Sequence, residues 1–141
     1  MVHIRDDGVF DAPLEKIWRY MNAGEQDHQH RSSRITKVLE QKGNTMVLEA
    51  EVRNATGSGT HKETWKFIMN PPKSWDTEYL SGPMKGTKHT HTYTSIGDKT
   101  KVEVAGDFRV EGFDEAATRK AILAYLEEVF NEDNAALKRF K

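Results

Sequence analysis

Between residues 60 and 69 the polar and apolar positions alternate: His61, Glu63, Trp65, Phe67 and Met69 fall on one side, Lys62, Thr64, Lys66 and Ile68 on the other. Strand side chains point to opposite faces in turn, so this pattern predicts a strand with its aromatic face inward. His61 and Glu63 share that face and are carried inside with it. Burying such groups unpaired costs about a few kcal/mol each, which predicts partners, water or a wet cavity for them. A polar-lined interior in a small protein points to a bound molecule.

The same reading extends along the chain. Residues 2–10, with Val2, Ile4, Val9 and Phe10, predict a first strand with Gly8 as a bulge. A helix start follows, where Asp11 can cap and Pro13 suits the first turn. Leu14, Ile17, Trp18 and Met21 make its apolar stripe, Gly24 ends it, and a second short helix is expected over 25–30. Strands are then expected over 33–41, 45–54, 60–69, 74–81, 87–96 and 100–111. Their turns are Lys42-Gly43-Asn44, Gly57-Ser58-Gly59, Asn70-Pro71-Pro72-Lys73, Gly82 to Gly86, and Gly97-Asp98-Lys99. Met46, Leu48, Ala50 and Val52 should face in, as should Trp75, Thr77 and Tyr79, and Val102, Val104, Phe108 and Val110.

From 114 to 140, Ala116, Ile122, Leu123, Leu126, Val129, Phe130, Leu137 and Phe140 recur at three- and four-residue steps, predicting one long amphipathic helix. At ~1.5 Å per residue it would span roughly 40 Å. Short turns make the strands antiparallel, and one sheet face needs a cover that only this helix is large enough to give. The class is α+β, in a single domain over 1–141.

Composition narrows the function. The chain has 141 residues, 36% hydrophobic and 30% charged, with 21 Lys+Arg against 22 Asp+Glu. No block of like charge suggests nucleic acid or a polybasic membrane patch. There are no cysteines, which removes disulfides and thiolate chemistry and fits a reducing compartment. Neither a signal-like segment nor an apolar run of about 18 residues is present, so a cytoplasmic protein without membrane insertion is expected. Asn54-Ala55-Thr56 matches a glycosylation sequon by chance. Thr56-Gly57-Ser58-Gly59 lacks the lysine of a P-loop, and no G-x-S-x-G elbow occurs.

The order strand, two short helices, six strands, long helix resembles the START-like helix-grip superfamily (SRPBCC), which includes pollen-allergen-like and polyketide-cyclase/dehydrase proteins. Asp11-Ala12-Pro13-Leu14-Glu15-Lys16-Ile17-Trp18 looks like that family's "x-A-P-x-E-x-V-W" opening of the first helix. Pro71-Pro72, Gly82-Pro83 and Gly86 match its middle turns, and Phe130-Asn131-Glu132-Asp133 resembles its "F-x-E-D". The resemblance covers essentially the whole chain. It implies a curved seven-stranded antiparallel sheet wrapped around the long C-terminal helix, two short helices after the first strand, and a cavity between sheet and helix. It also implies lipids, sterols, polyketides or other apolar ligands, with cyclisation or dehydration in some members. The family has no universal catalytic motif, so no catalytic residue is transferred.

Candidate site residues follow from facing. His89, His91 and Tyr93 share one strand face and would join His61 and Glu63 if that face is the inner one; Thr90, Thr92, Thr94 and Ile96 make the competing face. Trp65, Phe67, Trp75 and Tyr79 are expected as core or cavity wall, completed by Phe108, Leu126 and Phe130. Alternate histidines can chelate zinc with a third ligand, which His61 or Glu63 could supply, and His28 with His30 offers another pair. No HExxH motif or cysteine pair supports a metal, and neither metal nor cofactor is expected. Asp133 interrupts the helix stripe and reads as structural, accepting bonds from a strand, a loop or Trp18. Arg119 either flanks a cavity mouth or faces solvent.

Three functions compete. One is a carrier or sensor for a small apolar or amphipathic molecule, lipid, polyketide-like or aromatic, whose polar end His61 and Glu63 orient. Another is a cyclase or dehydratase using a histidine base, with Glu63 orienting His61 if a bend brings them together. The third is a protein-interaction domain with a filled core. The expected partner is a small apolar ligand, with no nucleic acid, and the chain is expected as a monomer or homodimer.

Overall fold

The structure, a computed structural model, describes residues 1–22, 30–54 and 57–140. Seven antiparallel strands form one sheet: β1 (Val2–Phe10), β2 (Ser33–Lys42), β3 (Thr45–Arg53), β4 (Thr60–Asn70), β5 (Ser74–Tyr79), β6 (Lys88–Ile96) and β7 (Lys99–Phe108). Their spatial order is β1-β7-β6-β5-β4-β3-β2, so β2 to β7 make a meander and β1 joins across from it onto β7. Two helices complete the fold, α1 (Leu14–Met21) and α2 (Glu115–Arg139).

Local chemistry explains the boundaries. Asp114 caps α2 by accepting from the Ala117 amide at 2.8 Å, which satisfies one of the orphan donors of the first turn. At α1 the cap position belongs to Pro13, with no side-chain bond, so Asp11 does not cap as expected. Gly8 is also not a bulge. It pairs in unbroken register with Val102, and its bare Cα is needed because a Cβ there would lie 2.7 Å from the Phe130 ring.

The core forms three clusters. Val2, Ile4, Val104 and Phe108 pack with Ile122, and Leu126 closes on them. Phe10, Ala12, Ile17, Trp18, Tyr20 and Tyr93 gather around Leu137. The third, Leu48, Ala50, Trp65 and Tyr79 with Met46, Val52, Phe67 and Met84, draws on β3 to β5 and the following turn, and takes nothing from α2.

Two expectations about the architecture are corrected. The sheet is open, with β1 and β2 as its unjoined edges, and it neither closes nor wraps around α2. The helix packs toward the β1–β7 end, while β2 at the other edge is exposed along its length beyond Ser33. Only one short helix follows β1 among the described residues. The second, expected over 25–30, falls mostly on residues 23–29, which lie outside those described, and residues 30–32 run as non-helical chain into β2.

Candidate functional site

Because α2 covers one end of the sheet and the third cluster lies at the other, a cavity of about 540 Å³ remains between them. Trp65 and Phe67 of β4, Trp75, Thr77 and Tyr79 of β5, and His89, His91 and Tyr93 of β6 form its sheet wall. Tyr125, Leu126, Val129 and Phe130 of α2 form the opposite wall. Exposed lining residues, Asp6, Asp7, Arg34, Ile35, Leu123 and Glu127, mark where it opens.

Strand β6 turns its His89-His91-Tyr93 face inward. Its register sets Trp75 opposite His91 and Thr77 opposite His89. His91 stacks on Trp75 with centroids 4.1 Å apart, and His89 stacks on Phe108 at 5.3 Å. Gly106 makes room for this, since a Cβ there would lie 2.2 Å from the Lys88 carbonyl oxygen and 2.6 Å from the His89 Cβ. Trp75 Nε1 donates to the Tyr93 hydroxyl at 2.7 Å.

Burial dominates the electrostatics. It pushes the His89 imidazole down to about 4, against a small opposing pull from Asp76, and holds His91 well below its usual range, with His89 adding to the effect. Both rings are therefore neutral at pH 7. Burial likewise raises the phenols of Tyr79, Tyr93 and Tyr125. Thr77 Oγ1, His89 Nδ1 and His91 Nδ1 are buried without a hydrogen-bond partner among the described residues.

The structure separates residues that the sequence pattern groups together. Trp65, Phe67, Trp75, Tyr79, His89, His91, Tyr93, Leu126 and Phe130 all line the cavity. His61, Glu63 and Phe108 do not. Phe108 lies beneath His89 in the core. Glu63 is inward and only 3% exposed, but it accepts from Trp65 Nε1 at 2.9 Å and meets His61 Nε2 at 2.5 Å. His61 Nδ1 in turn reaches Asn54 Oδ1 at 2.6 Å, while the Asn54 amide donates to the Ser58 carbonyl. These groups thus satisfy one another behind the cavity wall, and His61 and Glu63, two residues apart on β4, are in direct contact.

Asp133 accepts from Tyr20 Oη at 2.7 Å and lies 3.3 Å from His30 Nε2, while His30 Nδ1 meets Glu132 at 2.9 Å. Trp18 is not its donor; the indole donates instead to the Pro72 carbonyl at 2.8 Å. Arg119 is exposed, reaches the His3 carbonyl at 3.4 Å and does not line the cavity. His28 lies outside the described residues. Among those described, no group of three or more His, Asp or Glu side chains is gathered to hold a metal.

Tyr20, Thr77, Tyr125, His30 and Asp133 line the cavity without having been selected as binding residues from sequence. A signal existed for two of them. Thr77 alternates with Trp75 and Tyr79, and Tyr125 stands three residues after Ile122 and four before Val129, on the same helical stripe.

Residues 1–139 match the family described as polyketide cyclase / dehydrase and lipid transport, and the chain belongs to that family. Solved structures agree on the fold. The Zhui aromatase/cyclase from Streptomyces sp. R1128 superposes with a TM-score of 0.72 at 15% identity, over 96% of this chain and 90% of that one. A START superfamily protein from Mycobacterium smegmatis gives 0.73 at 12% identity, over 99% of each chain. The di-domain ARO/CYC StfQ from the steffimycin biosynthetic pathway gives 0.73 at 12% identity, and there this chain, 98% covered, spans 50% of the other. A search of curated proteins finds no match.

Proposed function

We propose that this protein binds a small apolar or amphipathic molecule, lipid, polyketide-like or aromatic, in the cavity between the sheet and α2. The observation that carries this reading is the cavity itself: about 540 Å³, walled by Trp65, Phe67, Trp75, Tyr79 and Phe130 and opening to solvent. That volume lies within the ~300–1,000 Å³ usual for small-molecule sites, and the composition of its walls suits them equally. Burying about 200 Å² of apolar ligand surface would supply roughly 5 kcal/mol before the costs of association. The family's description, polyketide cyclase / dehydrase and lipid transport, supports the same class of ligand.

Acid–base catalysis has less support. The His89 imidazole, pushed down to about 4, and His91, held low by the same burial, are weak bases at pH 7, and His61 and Glu63 are engaged with each other outside the lining. A filled core, as an interaction domain would have, is at odds with the cavity.

The test is native mass spectrometry of gently purified protein, followed by titration with 1-aminoanthracene, an uncharged fluorescent probe. A co-purified small molecule, or saturable probe uptake, is expected. Val129→Trp should fill the space from the α2 wall and abolish uptake while the circular dichroism spectrum is kept. Protein that carries nothing and takes up no probe would overturn the reading.

A further inference from the structure

His30, just ahead of β2, is wedged between two carboxylates of α2. Its Nδ1 lies 2.9 Å from Glu132 Oε1, and its Nε2 lies 3.3 Å from Asp133 Oδ1. The other Glu132 oxygen accepts from the Arg31 amide at 3.2 Å, and Asp133 Oδ1 also accepts from Tyr20 Oη. One imidazole thus joins the approach to β2 with α2 and, through Asp133, with α1. His30, Tyr20 and Asp133 all border the cavity. The His30 and Asp133 side chains are only 16% and 17% exposed, so water can replace little of what the ring supplies. The opposite flank of α2 is held differently. Phe130 stands two positions before Glu132, on the other side of the helix, and packs on Phe10 and Gly8, where no group titrates.

We infer that His30 is a proton-controlled tie between the start of β2 and α2, closed when both ring nitrogens carry protons and half released when one does. A neutral imidazole has one donor and one lone pair, so it can serve Glu132 or Asp133 but not both. Its bare nitrogen then faces the second carboxylate, lone pair against lone pair. With both nitrogens protonated it donates to each, in charge-assisted hydrogen bonds. Neighbouring groups do not take its place. Arg53 of β3 is engaged with Glu128 at 2.8 and 3.2 Å, and Arg31 is exposed. Those hydrogen bonds from Arg53 hold the Glu128 carboxyl low, with Arg31 and His30 adding to them. On the α1 side, burial and then Asp133 raise the Tyr20 phenol, so it stays a donor to Asp133, while Arg139 opposes them. Imidazole is the side chain whose charge changes near neutral pH, which makes this junction the adjustable flank of α2. Its bearing on ligand exchange rests on the binding reading above: a bound molecule leaves faster once the tie is half released.

The experiment has two arms. Two-bond proton–nitrogen spectra of the histidine rings at pH 6 and pH 8.5 follow His30 with no ligand present, its signals assigned by their loss in His30→Gln. Both ring nitrogens are expected protonated at pH 6 and only one at pH 8.5. A ring unchanged across that range overturns the inference, whatever the cavity binds. In the second arm, stopped-flow fluorescence measures release of 1-aminoanthracene over the same range. Release should quicken about tenfold by pH 8.5, on the order of one charge-assisted hydrogen bond, and stay within about twofold in His30→Gln, whose amide does not titrate. Equal acceleration in the variant would place the proton elsewhere and overturn the tie. Glu132→Gln, which keeps the side-chain shape and removes the need for the second ring proton, should flatten the profile too and keeps the test valid should His30→Gln fail to fold. Protein that takes up no probe counts against the binding reading alone, because the spectra still decide the tie.

Discussion

His89 couples the site to stability through its own proton. Unfolded, the ring titrates near its ordinary 6.5; folded, burial delays protonation to about 4. Between those values the unfolded chain binds the extra proton, so stability is complete above about pH 6.5 and falls as pH drops toward 4. The loss is on the order of 3 kcal/mol for this residue, and His91, depressed by the same burial, acts in the same direction. Urea midpoints measured at pH 7 and pH 4.5 should show the drop, and His89→Leu should make it clearly smaller. An equal drop in the variant would rule out His89 as a source. At this scale the sequence was legible only in part. Alternation correctly turns His61 and Glu63 inward, but a period of two assigns a face and says nothing about how far along the strand the cavity extends. Those two side chains lie toward the start of β4, past the cavity's end, whereas Thr77 and His89 face each other across the middle of the sheet.

Among the elements, α2 and β1 depend on one close approach. Phe130 stacks on Phe10 at 4.7 Å only because Gly8 presents no side chain beneath it. Gly8→Ala should push the ring aside and destabilise the protein by about 1–3 kcal/mol, readable as a lower urea midpoint. An unchanged midpoint would show that the ring relocates freely. The strands and the long helix were legible because each carries a strong local period, and the glycine turns punctuate them. The role of Gly8 was not, since a glycine within a strand signals either a bulge or a close backbone approach, and only the partner from 122 residues away decides which. The missing wrap has a similar origin: the pattern of α2 reports that it is amphipathic, not which strands it meets.

For the whole molecule, the cavity makes occupancy and stability two readings of one quantity. A probe present at a hundred times its dissociation constant should raise the unfolding free energy by about 2.7 kcal/mol. The urea midpoint should move with probe concentration while the slope of the transition holds; a midpoint indifferent to probe would mean that the folded chain does not bind it in preference to the unfolded one. None of the helices among the described residues is long and apolar enough to cross a membrane.

The strand order carries a consequence for assembly in time. β1 has a single neighbour in the sheet, and that neighbour, β7, is translated roughly a hundred residues later. On the ribosome the opening segment therefore emerges with its hydrogen-bonding edge unmatched and must wait while β2 through β7 zip up by neighbouring hairpins. Its docking joins segments about a hundred residues apart, and the Phe10–Phe130 clasp that ties α2 to the same strand spans more of the chain still.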